Sequence, residues 1–207
     1  MSDSPLRMGK AVSISHVGGS QEEAVGVIAK NTPKGIGLSF FGLTSPLSLN
    51  KDDSVRVKFW NAGEICFWEG KVLETFGPED RSVLVSRPQA VKVERRRFQR
   101  YSLEIPLSFT VIYQGEKRVV AREVFNAKTK TLSAGAAEFE TGVSLEQDDL
   151  LDLKLYLVSS QQISTIGAVA RSLKETPVNS IVVQFLGLKP EDHDRIQEFL
   201  VQMGSSS

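Results

Sequence analysis

What most restricts this chain is a succession of strand-length segments in which apolar and polar residues alternate, each cut short by turn residues. In "DSVRVKFW" (53–60), Val55, Val57 and Phe59 alternate with Arg56 and Lys58. A period of two buries one face and wets the other, as in a half-buried strand. The cleanest case begins at residue 102. Leu103, Ile105, Leu107, Phe109 and Val111 face one way, and Ser102, Glu104, Ser108 and Thr110 the other. Segments this short, with turns this frequent, suit a barrel or a sandwich of antiparallel strands.

The segments fall into two groups. "AVGVIAK", "GIGLSFFG", "DSVRVKFW", "EICFWEGKVLETF" and "RSVLVS" make a small β domain, with turns at "NAG", Gly18–Gly19 and Gly77–Pro78. Gly70, inside the fourth of these, suggests a bulge or a sharp bend. Pro88 makes "RPQAVKVE" (87–94) a connector. After the strand from 102 come five more candidates: "GEKRVVAREVF", "SAGAAEFET", "DLLDLKLYLV", "ISTIGAVARSL" and "NSIVVQFLGL". "KPEDHDRIQEFLVQMG" (189–204) is the one helix pattern. Pro190 suits its first position, Glu191 and Asp192 the positive end of its dipole, and Ile196, Phe199, Leu200 and Met203 form the apolar stripe. The expected fold is mostly β, with two small antiparallel barrels, the second six-stranded and closed by the helix. The expected domains are residues 1–94 with the linker 87–94, residues 95–203, and a disordered tail at 204–207 that starts at the helix-ending Gly204.

Charge and composition narrow the function. The chain has 25 acidic and 25 basic residues, so any anion site must be local rather than a general basic surface. A lone Cys66 excludes an intrachain disulfide, and two distant histidines, His16 and His193, offer no zinc spacing. Glu191, Asp192, His193 and Asp194 read as dipole-complementing surface residues, and Glu146, Asp148 and Asp149 as a loop before a strand. Trp60 and Trp68 read as core or interdomain packing. No nucleophile elbow, phosphate loop or dinucleotide fingerprint occurs, so no enzyme is expected. The absence of a spanning apolar run and of an apolar signal core points to a cytosolic protein without membrane insertion.

One local charge concentration stands out. "VERRRFQRYSLEIPL" (93–107) places Arg95, Arg96, Arg97 and Arg100 at the mouth of the cleanest strand. Guanidinium groups present planar forked donors that match phosphate oxygens and the O6/N7 edge of guanine, and they stack on bases. On an extended chain Arg96 and Arg100 lie on one side, about 13 Å apart. The run reads as an anion grip on a flexible hinge. By itself a short basic cluster is a weak motif, and it fits better a solvated guard at a strand edge, or surface ion pairs to the many glutamates.

"RRRFQRYSLEIPL" resembles the opening of a PilZ domain, the bacterial cyclic di-GMP receptor module. Its hallmark R-x-x-x-R is matched by Arg96 and Arg100, with Arg97 as a further basic residue. The family's second motif, D/N-x-S-x-x-G, corresponds to "TLSAGA" (131–136). Ser133 is in register, Thr131 replaces the acid or amide, Ala136 replaces the final glycine, and Gly135 stands one position early. Residues 1–94 look like the small β domain that precedes PilZ in flagellar-brake-type receptors.

The resemblance implies a non-catalytic receptor for cyclic di-GMP that signals to a motility, secretion or polysaccharide target, with no cofactor. Arg96, Arg97 and Arg100 would hold phosphates and guanine edges, and Ser133 would contact the ligand from the barrel. Thr131 lacks a carboxylate for a guanine edge, and Ala136 adds a methyl where glycine permits close approach. The rival reading keeps the fold and drops the ligand, leaving a protein-interaction module. A polymeric nucleic acid is not the expected partner, because the overall charge is neutral and Phe98 is the only aromatic inside the basic run.

Overall fold

The computed structural model describes residues 6–18, 22–41, 47–61, 64–76, 82–94, 98–115, 117–120, 123–158, 161–174 and 177–204. Gly19, residues 62 and 63 of the "NAG" turn, Gly77, Pro78, Arg95, Arg96, Arg97 and residues 205–207 of the tail lie outside these. The chain divides into two compact units, Met1–Arg96 and Arg97–Ser207.

The first unit contains β1 (Ala11–His16), β2 (Ala24–Asn31), β3 (Gly35–Phe40), β4 (Ser54–Asn61), β5 (Glu64–Phe76), β6 (Ser82–Ser86) and β7 (Lys92–Glu94). Six of them close into an antiparallel barrel in the order β4-β1-β2-β3-β6-β5, with β5 returning to β4. Its core holds Ile14, Ile28, Ile36, Val55, Val57, Trp68, Val72, Val83 and Val85, all 0% exposed. Alternation finds five of the six strands. It misses β1, whose short "AVSISH" turns only Val12 and Ile14 into the core cluster, yet β1 bridges β2 and β4 and completes the ring.

β5 pairs with β4 up to Lys71 and with β6 from Val72 onward. Gly70 marks the change of partner, because a Cβ there would come within 2.8 Å of the Ser86 hydroxyl and 3.1 Å of Val85 Cγ1. The expected bulge falls at Leu73 instead, between Val72 and Glu74. "RPQAVKVE" also departs from a plain connector, since its last three residues form β7 on Ile65–Phe67 of β5. Cys66 is buried, and that burial pushes its thiol above the ordinary range, as expected of an inert strand residue.

The second unit contains β8 (Tyr101–Ser102), β9 (Pro106–Gln114), β10 (Lys117–Arg118), β11 (Phe125–Ser133), β12 (Ala136–Thr141), β13 (Leu150–Val158), β14 (Gln161–Leu173), β15 (Asn179–Leu186) and the helix α1 (Pro190–Gly204). β9-β13-β14-β15-β12-β11 close into a second six-stranded antiparallel barrel, with β8 added to β11 and β10 to β9. The count of six and the closing helix match the expectation, but one strand is displaced. "GEKRVVAREVF" supplies only the two-residue β10 and the first residue of β11, and the barrel strand itself is "FNAKTKTLS". In that segment Lys128 and Lys130 are exposed and a register shift lies between Thr129 and Thr131, so the simple alternation is broken.

Phe109 and Phe139 pack 5.3 Å apart at the centre of this barrel. Ile196 and Leu200 of α1 are fully buried in the same core, and Phe199 packs partly against it. Met203, expected in the stripe, is 42% exposed, and Gly204 is the last residue of the helix.

Thr129 joins the entry segment to this barrel. Its buried hydroxyl donates to the Leu103 carbonyl and accepts from the Ile105 N–H at 2.9 Å. Thr129→Val keeps the shape and removes both bonds, so it is expected to destabilise the second barrel by about 1–3 kcal/mol. Urea unfolding monitored by amide exchange of β9 and β11 checks this, and an unchanged midpoint would contradict it.

Candidate functional site

The site is built from the segment entering the second barrel and from the β11–β12 turn. Arg95, Arg96 and Arg97 lie outside the described residues, whereas Arg100 is described and exposed. The segment after it is stitched to β11. Tyr101 pairs with Leu132 and Ser102 with Thr131, and the Leu103 N–H donates to the Lys130 carbonyl at 3.2 Å. Arg100 thus immediately precedes the pair of residues that is held against Thr131 and Leu132 of β11.

Phe98 holds the other side of Arg100. Its ring stacks on His193 of α1, with centroids 5.4 Å apart and planes at 22°. It also covers Gly135, where a Cβ would lie 3.1 Å from Phe98 Cδ2. A side chain at 135 would push the ring away, which gives Gly135 a packing reason for being glycine. Phe98 thus anchors the end of an arm that the sequence presents as a flexible hinge. His193 is the ring beneath it, a role beyond complementing the dipole. The lone aromatic in the basic run was the only sequence signal of this contact.

The turn itself is tightly organised. Ser133 pairs with Ala136 across it. The Ser133 hydroxyl donates to the Ala136 carbonyl at 3.2 Å and accepts from the Gly135 N–H at 3.4 Å. Ser133 is buried, so its side chain shapes the turn, while Gly135 and Ala136 are half-buried. Phe185 N–H donates to the Gly135 carbonyl at 2.9 Å, tying the turn to β15. Thr131 is half-buried and sits between Ser102 and Glu138 in register, and its hydroxyl donates to Glu138 Oε2 at 3.3 Å. Sequence reasoning missed Glu138. The signal was present, because a two-residue turn between Ser133 and Ala136 requires 131 to face 138.

The profile of the PilZ domain matches residues 94–202. The chain belongs to the PilZ domain family. The matched region holds the arm, the turn, the whole second barrel and nearly all of α1. Among solved structures the chain is similar to the Bacillus subtilis inhibitor of motility MotI/DgrA, at 14% identity and a TM-score of 0.45, covering 97% of this chain and 99% of that one. It is also similar to the K. pneumonia MrkH–c-di-GMP complex, at 15% identity and a TM-score of 0.45, covering 95% and 88%. A third is Escherichia coli YcgR in complex with c-di-GMP, at 12% identity and a TM-score of 0.45, covering 96% and 85%. No curated protein matches the chain.

Elsewhere in the PilZ domain, Asp149 caps the loop before β13. The Asp149 carboxylate accepts from the Glu146 N–H at 2.8 Å and from Gln114 Nε2 at 3.1 Å. Burial pushes its carboxyl above the ordinary range, against the lowering effect of those hydrogen bonds. Among the described residues no group of three or more His, Cys, Asp or Glu could hold a metal ion, and no helix is long and apolar enough to cross a membrane.

Proposed function

We propose that this PilZ protein is a non-catalytic cytoplasmic receptor that binds cyclic di-GMP and relays its occupancy to a motility, secretion or polysaccharide target. The observation that supports this reading is the pairing of Tyr101 and Ser102, directly after Arg100, with the β11 strand that leads into the Ser133 turn of a PilZ domain. An exposed guanidinium at the rim of an ordered turn is suited to a ligand that combines phosphates with purine edges. Arg96, Arg97 and Arg100 act as the phosphate and guanine grip. Thr131, Gly135 and Ala136 supply the opposing surface, and buried Ser133 holds its shape.

The second reading, a PilZ-like interaction module without ligand, has its own observation. Thr131 and Ala136 stand where the family carries an acid or amide and a glycine. Calorimetric titration of the whole chain with cyclic di-GMP, cyclic di-AMP and GTP separates the two. Saturable heat with cyclic di-GMP alone supports the receptor. A flat titration with all three supports the interaction module and overturns the receptor reading.

A further inference from the structure

We propose that Glu138 and Arg171 together form a guanine-reading pair on the outer wall of the PilZ barrel, with Glu138 supplying the carboxylate that position 131 lacks. The proposal rests on the receptor reading and names the residues that would decide its base specificity.

The register brings these groups into one row. Ser102 pairs with Thr131, Thr131 with Glu138, Glu138 with Val182, and Val182 with Arg171. Directly paired residues in a sheet point to the same face. The neighbouring positions Leu132, Ala137, Val183 and Val169 are buried in the core, so this row faces outward. It starts at the anchored arm and lies two positions from the Ser133–Ala136 pair at the turn.

The carboxylate is held in place before any ligand arrives. Thr131 donates to Glu138 Oε2 at 3.3 Å and Ser180 to Oε1 at 3.2 Å. Each oxygen can accept two hydrogen bonds and here accepts one, so each retains a lone pair. Arg171 Nη2 lies 4.0 Å from Oε1, beyond hydrogen-bond distance, and its side chain is 56% exposed against 22% for Glu138. A fixed acceptor beside an exposed fork of donors is the complement of one base. Guanine offers N1–H and N2–H donors to a carboxylate, and its O6 and N7 accept from a guanidinium. Adenine presents an acceptor at N1 instead of a donor, so the carboxylate repels it.

This arrangement also reverses the simple expectation for position 131. An aspartate there would face Glu138 directly, and like charges opposed across strands are unfavourable. Thr131→Asp alone is therefore expected to leave binding no stronger than in the wild type.

The test is calorimetric titration of the full chain with cyclic di-GMP and cyclic di-AMP. Glu138→Gln is expected to lower cyclic di-GMP affinity about 10- to 100-fold and to leave cyclic di-AMP unchanged, since a hydrogen bond to a charged group is lost. Adding Thr131→Asp to Glu138→Gln is expected to recover most of that loss, because the carboxylate returns without an opposing charge. Arg171→Ala, a change at a largely exposed side chain, is expected to weaken cyclic di-GMP about tenfold or more and keeps the test valid should Glu138→Gln not fold. Wild-type binding that none of these variants alters would overturn the pair while leaving the receptor reading intact. A wild type that binds no cyclic di-GMP would overturn the receptor reading, and this one with it.

Discussion

Replacing Arg100 by alanine is expected to lower the affinity for cyclic di-GMP about 30- to 1,000-fold, or about 2–4 kcal/mol. On the proposed reading the loss is large because the substitution strips a charge-assisted, forked contact that the rest of the arm cannot remake. Phe98 is fixed on His193 and Gly135 on one side of Arg100, and Tyr101 and Ser102 are paired to β11 on the other. No shift of the backbone can then carry a neighbouring arginine into its place without breaking those contacts. Arg100→Lys is expected to rescue little, because an ammonium neither forks across a guanine edge nor stacks on a base. Titration at fixed ionic strength checks both variants, since exposed charge interactions are screened by salt. Dissociation constants equal to the wild type in both would remove Arg100 from the site.

Phe139→Ala is expected to destabilise the PilZ barrel by about 3–5 kcal/mol, the cost of emptying a ring-sized space in a core that relaxes only in part. Phe139 is 0% exposed and packs against Phe109, which in turn packs on Phe125 at 5.3 Å. Both tryptophans, Trp60 and Trp68, belong to the first unit, so tryptophan fluorescence reports on the other barrel. Urea-dependent hydrogen exchange of β12 and β15 amides follows the right one. A shift below about 1 kcal/mol would mean that the barrel collapses around the missing ring far more completely than closed strands usually allow.

Much of the architecture was legible because its signals are local. Period-two alternation marks β4, β6 and β9 wherever one face is buried and the other wet, and the Ile196–Leu200 stripe marks the helix that closes the second barrel. The arginine arm was legible as charge, and "TLSAGA" as a turn with a serine. β1 and β11 escaped for a common reason. Each carries few apolar residues, and β11 is further interrupted by a register shift near Lys130, so their identity as strands comes from neighbours far away in sequence.

The sequence by itself determined most of the strand pattern and the closing helix, the two-part layout, the family and the placing of four arginines ahead of a barrel. Only the tertiary structure decided which side chains share a face. Phe98 meets Gly135 and His193 across 37 and 95 positions of chain, the differences 135 − 98 and 193 − 98. Glu138 meets Thr131 through a hairpin, but it meets Arg171 only through the ring order β11-β12-β15-β14. A one-residue slip in any of those pairings would turn the carboxylate into the core and the neighbouring apolar residue outward. Such slips are forbidden by the burial of Leu132, Ala137, Val183 and Val169 on the inner face, so the hydrophobic core sets the geometry of the polar wall behind which it is packed.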